Sequence, residues 1–309
     1  MFSAAFFNAN AKDLIFMTEN TNANFNWYPG HMAKTRRLIS ENLKLIDVIV
    51  EMIDARIPYS GRNPDFDDLL GSKPRVVVMN KSDLADEKCL AMWKKYYTDR
   101  GYKCIYINSL TGKNTEKIIE EAKNAISEKI EKDQSRGLTR SIKLMIVGIP
   151  NVGKSSLINR LSGKAGAKTG DRPGVTKGKQ WIRLKNGVEL LDTPGILWPK
   201  FENRLIGLKL AMVGSIRDEI VDPEELCCHL LSYLKKHYKD LLCARYKLTE
   251  PIDDMESFEL LEYIGKKRGF VVSGGEIDTY RCANVVLDEF RGAKIGKITL
   301  ETPADIDNI

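Results

Sequence analysis

The stretch VVVMNKSD, residues 76–83, joins an apolar run to the tetrapeptide Asn-Lys-x-Asp. Three consecutive valines favour a strand buried on both faces, so Asn80, Lys81 and Asp83 emerge at its carboxyl end. A carboxylate can only accept hydrogen bonds. At Asp83 it suits a ring N–H beside an exocyclic amine, which is the donor edge of guanine and is missing from adenine. Asn80 adds polar groups for the base edge, and Lys81 lies along the base plane. The tetrapeptide by itself also suits an ordinary turn, so a second feature has to decide.

That feature lies downstream. GIPNVGKSS (148–156) has the pattern G-x-x-x-x-G-K-[ST], between the strand-like IKLMIVG (142–148) and the helical KSSLINRLSG (154–163). In this context, glycines let backbone N–H groups face phosphates, and the helix N-terminus adds a partial positive charge. The nucleotide-binding set in this loop is Pro150, Asn151, Val152, Gly153, Lys154, Ser155 and Ser156, with Lys154 on the β- and γ-phosphates and Ser155 on magnesium. DTPG (192–195) ends another strand. Asp192 is expected to hold magnesium through water, and the Gly195 N–H to meet the γ-phosphate. Thr176, in RPGVT, is the expected switch threonine, closing on magnesium and γ-phosphate in the triphosphate state. Ser109 and Leu110, after the strand KCIYIN (103–108), offer a backbone N–H to the guanine oxygen.

The order of these parts is unusual. A G domain normally runs from phosphate loop through switch threonine, Asp-x-x-Gly and Asn-Lys-x-Asp to the last base-contacting turn. Here the two base-reading parts come first and the other three follow, which is one rotation of a circular list. Each part still ends a strand of an α/β sheet, where such sheets gather their ligands. The expected fold is α/β: a circularly permuted P-loop GTPase domain, mostly parallel and covered by helices on both faces, over residues 26–200. The helix at 115–132 and a charged linker at 131–141 would join the former ends, and 168–179 reads as a flexible loop. A small all-helical domain, with few strands, is expected over 201–309.

Composition excludes several classes. The 309 residues carry 43% hydrophobic and 29% charged side chains, as in an ordinary globular protein. The six cysteines form no C-x-x-C pair, which points to reduced thiols in a cytoplasm. No apolar run reaches membrane-spanning length. Residues 1–25 lack a basic leader and read as a disordered tail. A net charge of +6 permits an anionic partner such as RNA, with Lys34, Arg36 and Arg37, and Lys266, Lys267, Arg268, Arg291, Lys294 and Lys297, as phosphate-contacting candidates.

Seven stretches together resemble the YlqF/RbgA family of circularly permuted ribosome-assembly GTPases: NWYPGHMAKTRR (26–37), IDARIPYSGRNP (53–64), NKSD, GIPNVGKSSLINRL, AKTGDRPGVTKGKQW (167–181), LLDTPGILWPKFE (190–202) and SGGEIDTYRCANVVLDEFRGAKIGKI (273–298). The resemblance implies GTP/GDP and Mg2+ as ligands, and late maturation of the large ribosomal subunit as the task. Its helical domain is implied to contact ribosomal RNA, in a monomer with no DNA partner. Ile196 stands where many GTPases carry a water-orienting glutamine, so turnover of the free protein is expected to be slow. Two substitutes are visible. Asn151 matches the potassium-ligand asparagine of cation-stimulated GTPases, making K+ a further candidate cofactor. His31 is implicated by the resemblance in ribosome-stimulated hydrolysis, although a lone histidine also suits a structural role. Asp54 and Arg56 suit a structural salt bridge as well as a functional one. The alternative function is a nucleotide-gated RNA-binding module whose slow hydrolysis is incidental.

Overall fold

The computed structural model describes residues 30–138, 140–163, 180–184, 187–198, 203–216 and 221–308. Six strands form one sheet in the order β3-β2-β1-β4-β6-β5. They are β1 (Val48–Asp54), β2 (Arg75–Asn80), β3 (Lys103–Tyr106), β4 (Ile142–Gly148), β5 (Gln180–Leu184) and β6 (Val188–Asp192). All neighbours run parallel except the β5–β6 pair, which is antiparallel as its short connection requires. The apolar runs of β1 and β4 are central, and every residue of β1 is buried. Helices must therefore cover both faces.

Along the first part of the chain these are α1 (Gly30–Asn42), α2 (Asp65–Leu70), α3 (Glu87–Asp99), α4 (Lys117–Asn124), α5 (Ser127–Ser135) and α6 (Lys154–Ser162). The Asp86 carboxylate caps α3, accepting from the Lys88 and Cys89 N–H groups. From Arg204 onward the secondary structure is helical: α7 (Arg204–Met212), α8 (Pro223–His237), α9 (Lys239–Tyr246), α10 (Ser257–Arg268) and α11 (Thr279–Arg291). Leu230, Leu234, Leu260, Ile264 and Val286 are fully buried among these helices. The β structure described there is an isolated bridge between Val271 and Ile277.

Two local expectations need correction. The helix expected over 115–132 is two helices, broken at Ala125–Ile126. The second continues to Ser135, so the linker expected over 131–141 is shorter and begins as helix.

The seam between the expected former ends is clamped by Asp47, just before β1. Its carboxylate accepts from the Lys143 N–H at 2.9 Å, Lys129 Nζ at 2.9 Å and Arg140 at 3.1 Å. Its own N–H donates to the Lys143 carbonyl at 2.8 Å. Burial opposes the charge, but these donors prevail and hold its pKa below 3.8.

The chain also returns. After α11, Ile298 N–H donates to the Leu84 carbonyl at 3.0 Å and Leu300 N–H to the Arg56 carbonyl at 2.8 Å. Trp93 Nε1 donates to the Glu301 carbonyl at 3.0 Å. The final segment thus straps the helical part across the loops that follow β1 and β2.

Asp47→Ala removes the acceptor of a part-buried backbone N–H and is expected to cost about 1–3 kcal/mol of stability at neutral pH. Because the folded pKa is depressed, this contribution is full above 3.8 and fades as pH falls through the lower folded value. Denaturant unfolding of both chains at pH 7 and pH 3 checks both the deficit and its narrowing in acid.

Candidate functional site: a nucleotide pocket at the strand ends

The carboxyl ends of β1, β2, β3, β4 and β6 lie along one edge of the sheet, because these strands share a direction. β4 leads into the phosphate loop through Gly148, at φ 154°, where a Cβ would lie 2.4 Å from the Met52 carbonyl oxygen. Gly153 closes the loop at φ 101°, where a Cβ would lie 2.3 Å from Asn80 Nδ2. Only glycine fits both places.

Gly153 is the N-cap of α6, and Lys154 begins that helix. The Lys154 ammonium is buried and donates to the Gly148 carbonyl at 3.0 Å and the Ile149 carbonyl at 2.6 Å. Burial pulls its pKa down to about 7, against the pull of the Asp192 carboxylate. Such a lysine is poised to recover its charge when phosphate oxygens arrive.

Asn80 is 1% exposed and joins three loops. Its Nδ2 donates to the Val152 carbonyl at 2.7 Å and Ser109 Oγ at 3.0 Å, and its Oδ1 accepts from the Ser109 N–H at 3.0 Å. The side chain expected at the base edge also braces the base loop against the phosphate loop. Asp83 is exposed at the same strand end. Lys81, at φ 59°, pairs with the buried Asp54 carboxylate at 3.0 Å. The Leu110 N–H donates to Asn108 Oδ1 at 2.8 Å, while Arg160 of α6 holds the Leu110 carbonyl.

At the phosphate end, Gly195 packs on the phosphate loop, where a Cβ would lie 2.8 Å from Pro150 N and 3.0 Å from Lys154 Nζ. Asp192 is buried, and its Oδ1 has no hydrogen-bond partner. Burial raises its pKa to about 6 despite Lys154. An orphaned buried carboxylate oxygen beside a P-loop fits a hydrated magnesium ion. Among the described residues no cluster of three or more His, Cys, Asp or Glu holds a metal unaided, so phosphate and water oxygens would complete the shell. Ser155 sits in the first turn of α6. Thr176 lies outside the described residues. His31 falls in the first turn of α1, but its side chain lies outside them too. Ile196, 2% exposed, is packed into the core.

The basic groups divide. Lys34, Lys266, Lys267 and Lys294 are exposed. Arg268 pairs with the buried Glu289 at 2.9 Å, and Lys297 with Glu87 at 2.6 Å. Arg291 donates to the Ala211 and Met212 carbonyls. Arg268 and Arg291 are engaged within the protein, whereas the Lys297–Glu87 pair lies on the surface and leaves Lys297 exposed.

A P-loop lysine, a helix N-terminus and an Asn-Lys-x-Asp strand end joined through one asparagine define a GTPase. A family model described as 50S ribosome-binding GTPase matches residues 143–264, and one described as RsgA GTPase matches 71–202. Ribosome biogenesis GTPase A of Bacillus cereus is 48% identical, over 90% of this chain and 94% of its own length. The GDP-bound YlqF structure gives a TM-score of 0.63 at 28% identity, covering 87% of this chain and all of that one. YlqF from T. maritima with GNP bound gives 0.60 at 28%, covering 88% of this chain and all of that one. The chain belongs to the ribosome biogenesis GTPase A (YlqF) family.

Sequence reading missed Asn108 and Arg160, which shape the Ser109–Leu110 turn, and the cross-loop role of Asn80. Asn108 precedes a turn and is readable as an Asx motif. Arg160 has no local signal.

Burial lowers the Lys154 pKa toward neutrality, and bound phosphate oxygens favour its charged form. GDP binding above pH 7 is therefore expected to take up protons, and fewer as pH falls. Calorimetric titrations in buffers of different ionisation enthalpy measure the uptake.

Proposed function

We propose that this GTPase is an assembly factor for the large ribosomal subunit, docking on its precursor with GTP bound and leaving after hydrolysis to GDP. The observation that carries the reading is the Asn80 brace, with Nδ2 2.7 Å from the Val152 carbonyl oxygen. It supports a single nucleotide site, because it ties the Asn-Lys-x-Asp strand end to the phosphate loop although 72 residues separate them. Family membership supports the ribosomal partner.

In this reading Asp83 accepts from the guanine edge, Lys81 lies along the base, and Leu110 N–H turns from Asn108 to the guanine oxygen. Pro150 to Ser156 line the phosphates. Ser155, Thr176 and Asp192 hold magnesium, which when bound neutralises phosphate charge. Gly195 N–H meets the γ-phosphate. The burial of Ile196 leaves no side chain at that position to orient water, so the free protein turns over slowly. Asn151 provides a place for K+, and His31 acts when the ribosomal particle positions it. Exposed Lys34, Lys266, Lys267 and Lys294 suit ribosomal RNA phosphates. The protein acts as a cytoplasmic monomer. Among the described residues no helix is long and apolar enough to cross a membrane.

GTP turnover with and without purified large-subunit particles, in K+ and in Na+, tests this. Stimulation of at least about tenfold is expected, on the scale that electrostatic stabilisers of the transition state supply. A nucleotide-gated RNA binder shows none. His31→Ala is expected to keep nucleotide affinity and lose the stimulated rate.

Asp83→Asn exchanges a pure acceptor for a group that also donates. Competition binding is expected to show its preference moved from guanosine to xanthosine nucleotides; retained guanosine preference would remove Asp83 from the base edge.

A further inference from the structure

The segment IDARIPYSG, residues 53–61, leaves β1 between the two nucleotide loops and takes no part in the roles above. Asp54 and Arg56 form a doubly hydrogen-bonded pair, Nε to Oδ1 at 2.9 Å and NH2 to Oδ2 at 2.8 Å. Both are fully buried, with exposures of 0% and 1%. Burial opposes the carboxylate, but the Arg56 and Lys81 charges overcome it and keep Asp54 ionised far below its ordinary range. The same Oδ2 holds Lys81 Nζ at 3.0 Å.

The far side of the Arg56 guanidinium faces the helical part. It donates to the Val213 carbonyl and to the Arg291 carbonyl, both at 3.3 Å, and lies over the Phe290 ring. Val213 belongs to the open carbonyl end of α7, where such groups need outside donors. Arg291 takes the Ala211 and Met212 carbonyls, and Asn151 of the phosphate loop takes that of Gly214 at 2.8 Å. The next turn is anchored separately: Glu301 accepts from the Ser60 N–H at 2.9 Å and from Lys209 of α7 at 3.0 Å. Thus one helix end is gripped both from the phosphate loop and from the strand end that holds Lys81.

We propose that Arg56 is a positioning residue that couples docking of the helical part to the guanine end of the pocket: held by the Val213 and Arg291 carbonyls, it fixes the Asp54 carboxylate that anchors Lys81. When those carbonyls withdraw, the guanidinium hydrates and the ion pairs behind it are screened, so the base loses a wall. The coupling is reciprocal, since bound nucleotide then favours docking of the helices. The inference rests on Lys81 lying along the base, as in the reading above.

The test measures release of a fluorescent GDP from four full-length chains: wild type, Arg56→Lys, Lys81→Met and the double variant. A lysine at 56 keeps a positive charge beside Asp54 but cannot span both domains' acceptors. Arg56→Lys is expected to speed release about five- to tenfold, a size ordinary for coupled sites. In the Lys81→Met background the same change is expected to alter the rate less than about twofold, since its route is gone. Equal acceleration in both backgrounds, which a general loosening of the fold produces, overturns the proposal, as does no acceleration in either. Should Arg56→Lys fail to fold, Arg291→Lys loosens the same α7 end without touching Asp54 and must show the same Lys81-dependent pattern. A wild-type chain that binds no GDP would defeat the GTPase reading itself, and this inference with it.

Discussion

The pocket depends on the Asn80 side chain. One buried amide bonds the Val152 carbonyl of the phosphate loop and both the N–H and hydroxyl of Ser109 in the base loop. A buried amide left without these partners would cost more than each bond contributes when made, so the three loops keep one arrangement. Gly153 belongs to the same constraint, since a side chain there would occupy the place of the Asn80 amide.

Permutation is tolerated because a parallel sheet is held by lateral pairing and by the cover of its faces. β1 lies between β2 and β4, so the strands bearing the base motif and the phosphate motif are one strand apart although the second comes later in the chain. The connection through α4 and α5 needs a fixed entry into β4. Asp47 provides it by bonding Lys143 backbone and the side chains of Lys129 and Arg140.

The same rearrangement gives the helices after β6 two attachments to the nucleotide-binding part. One is the covalent path from Asp192 onward. The other is the returning segment, in which Leu300 and Glu301 bond the loop that follows β1 and the Glu301 carbonyl accepts from Trp93 of α3. A helical unit fastened at both ends can exchange free energy with the pocket through buried polar groups, where electrostatic interactions are weakly screened.

The amino-acid sequence by itself determined the kind of sheet, the identity of the nucleotide loops and the rotated order, because apolar runs, glycines and Asn-Lys-x-Asp act locally on the chain that bears them. It was also legible that Ile196 cannot orient water, a matter of side-chain chemistry. It misjudged the helix at 115–132, whose break at Ala125–Ile126 carries no proline or glycine. Only the tertiary structure decided that Asn80 braces loops, that Arg268 pairs with the buried Glu289, and that Arg56 reaches Val213, 157 residues away. Those roles depend on which distant carbonyl or carboxylate lies within hydrogen-bond reach, and packing alone sets that distance.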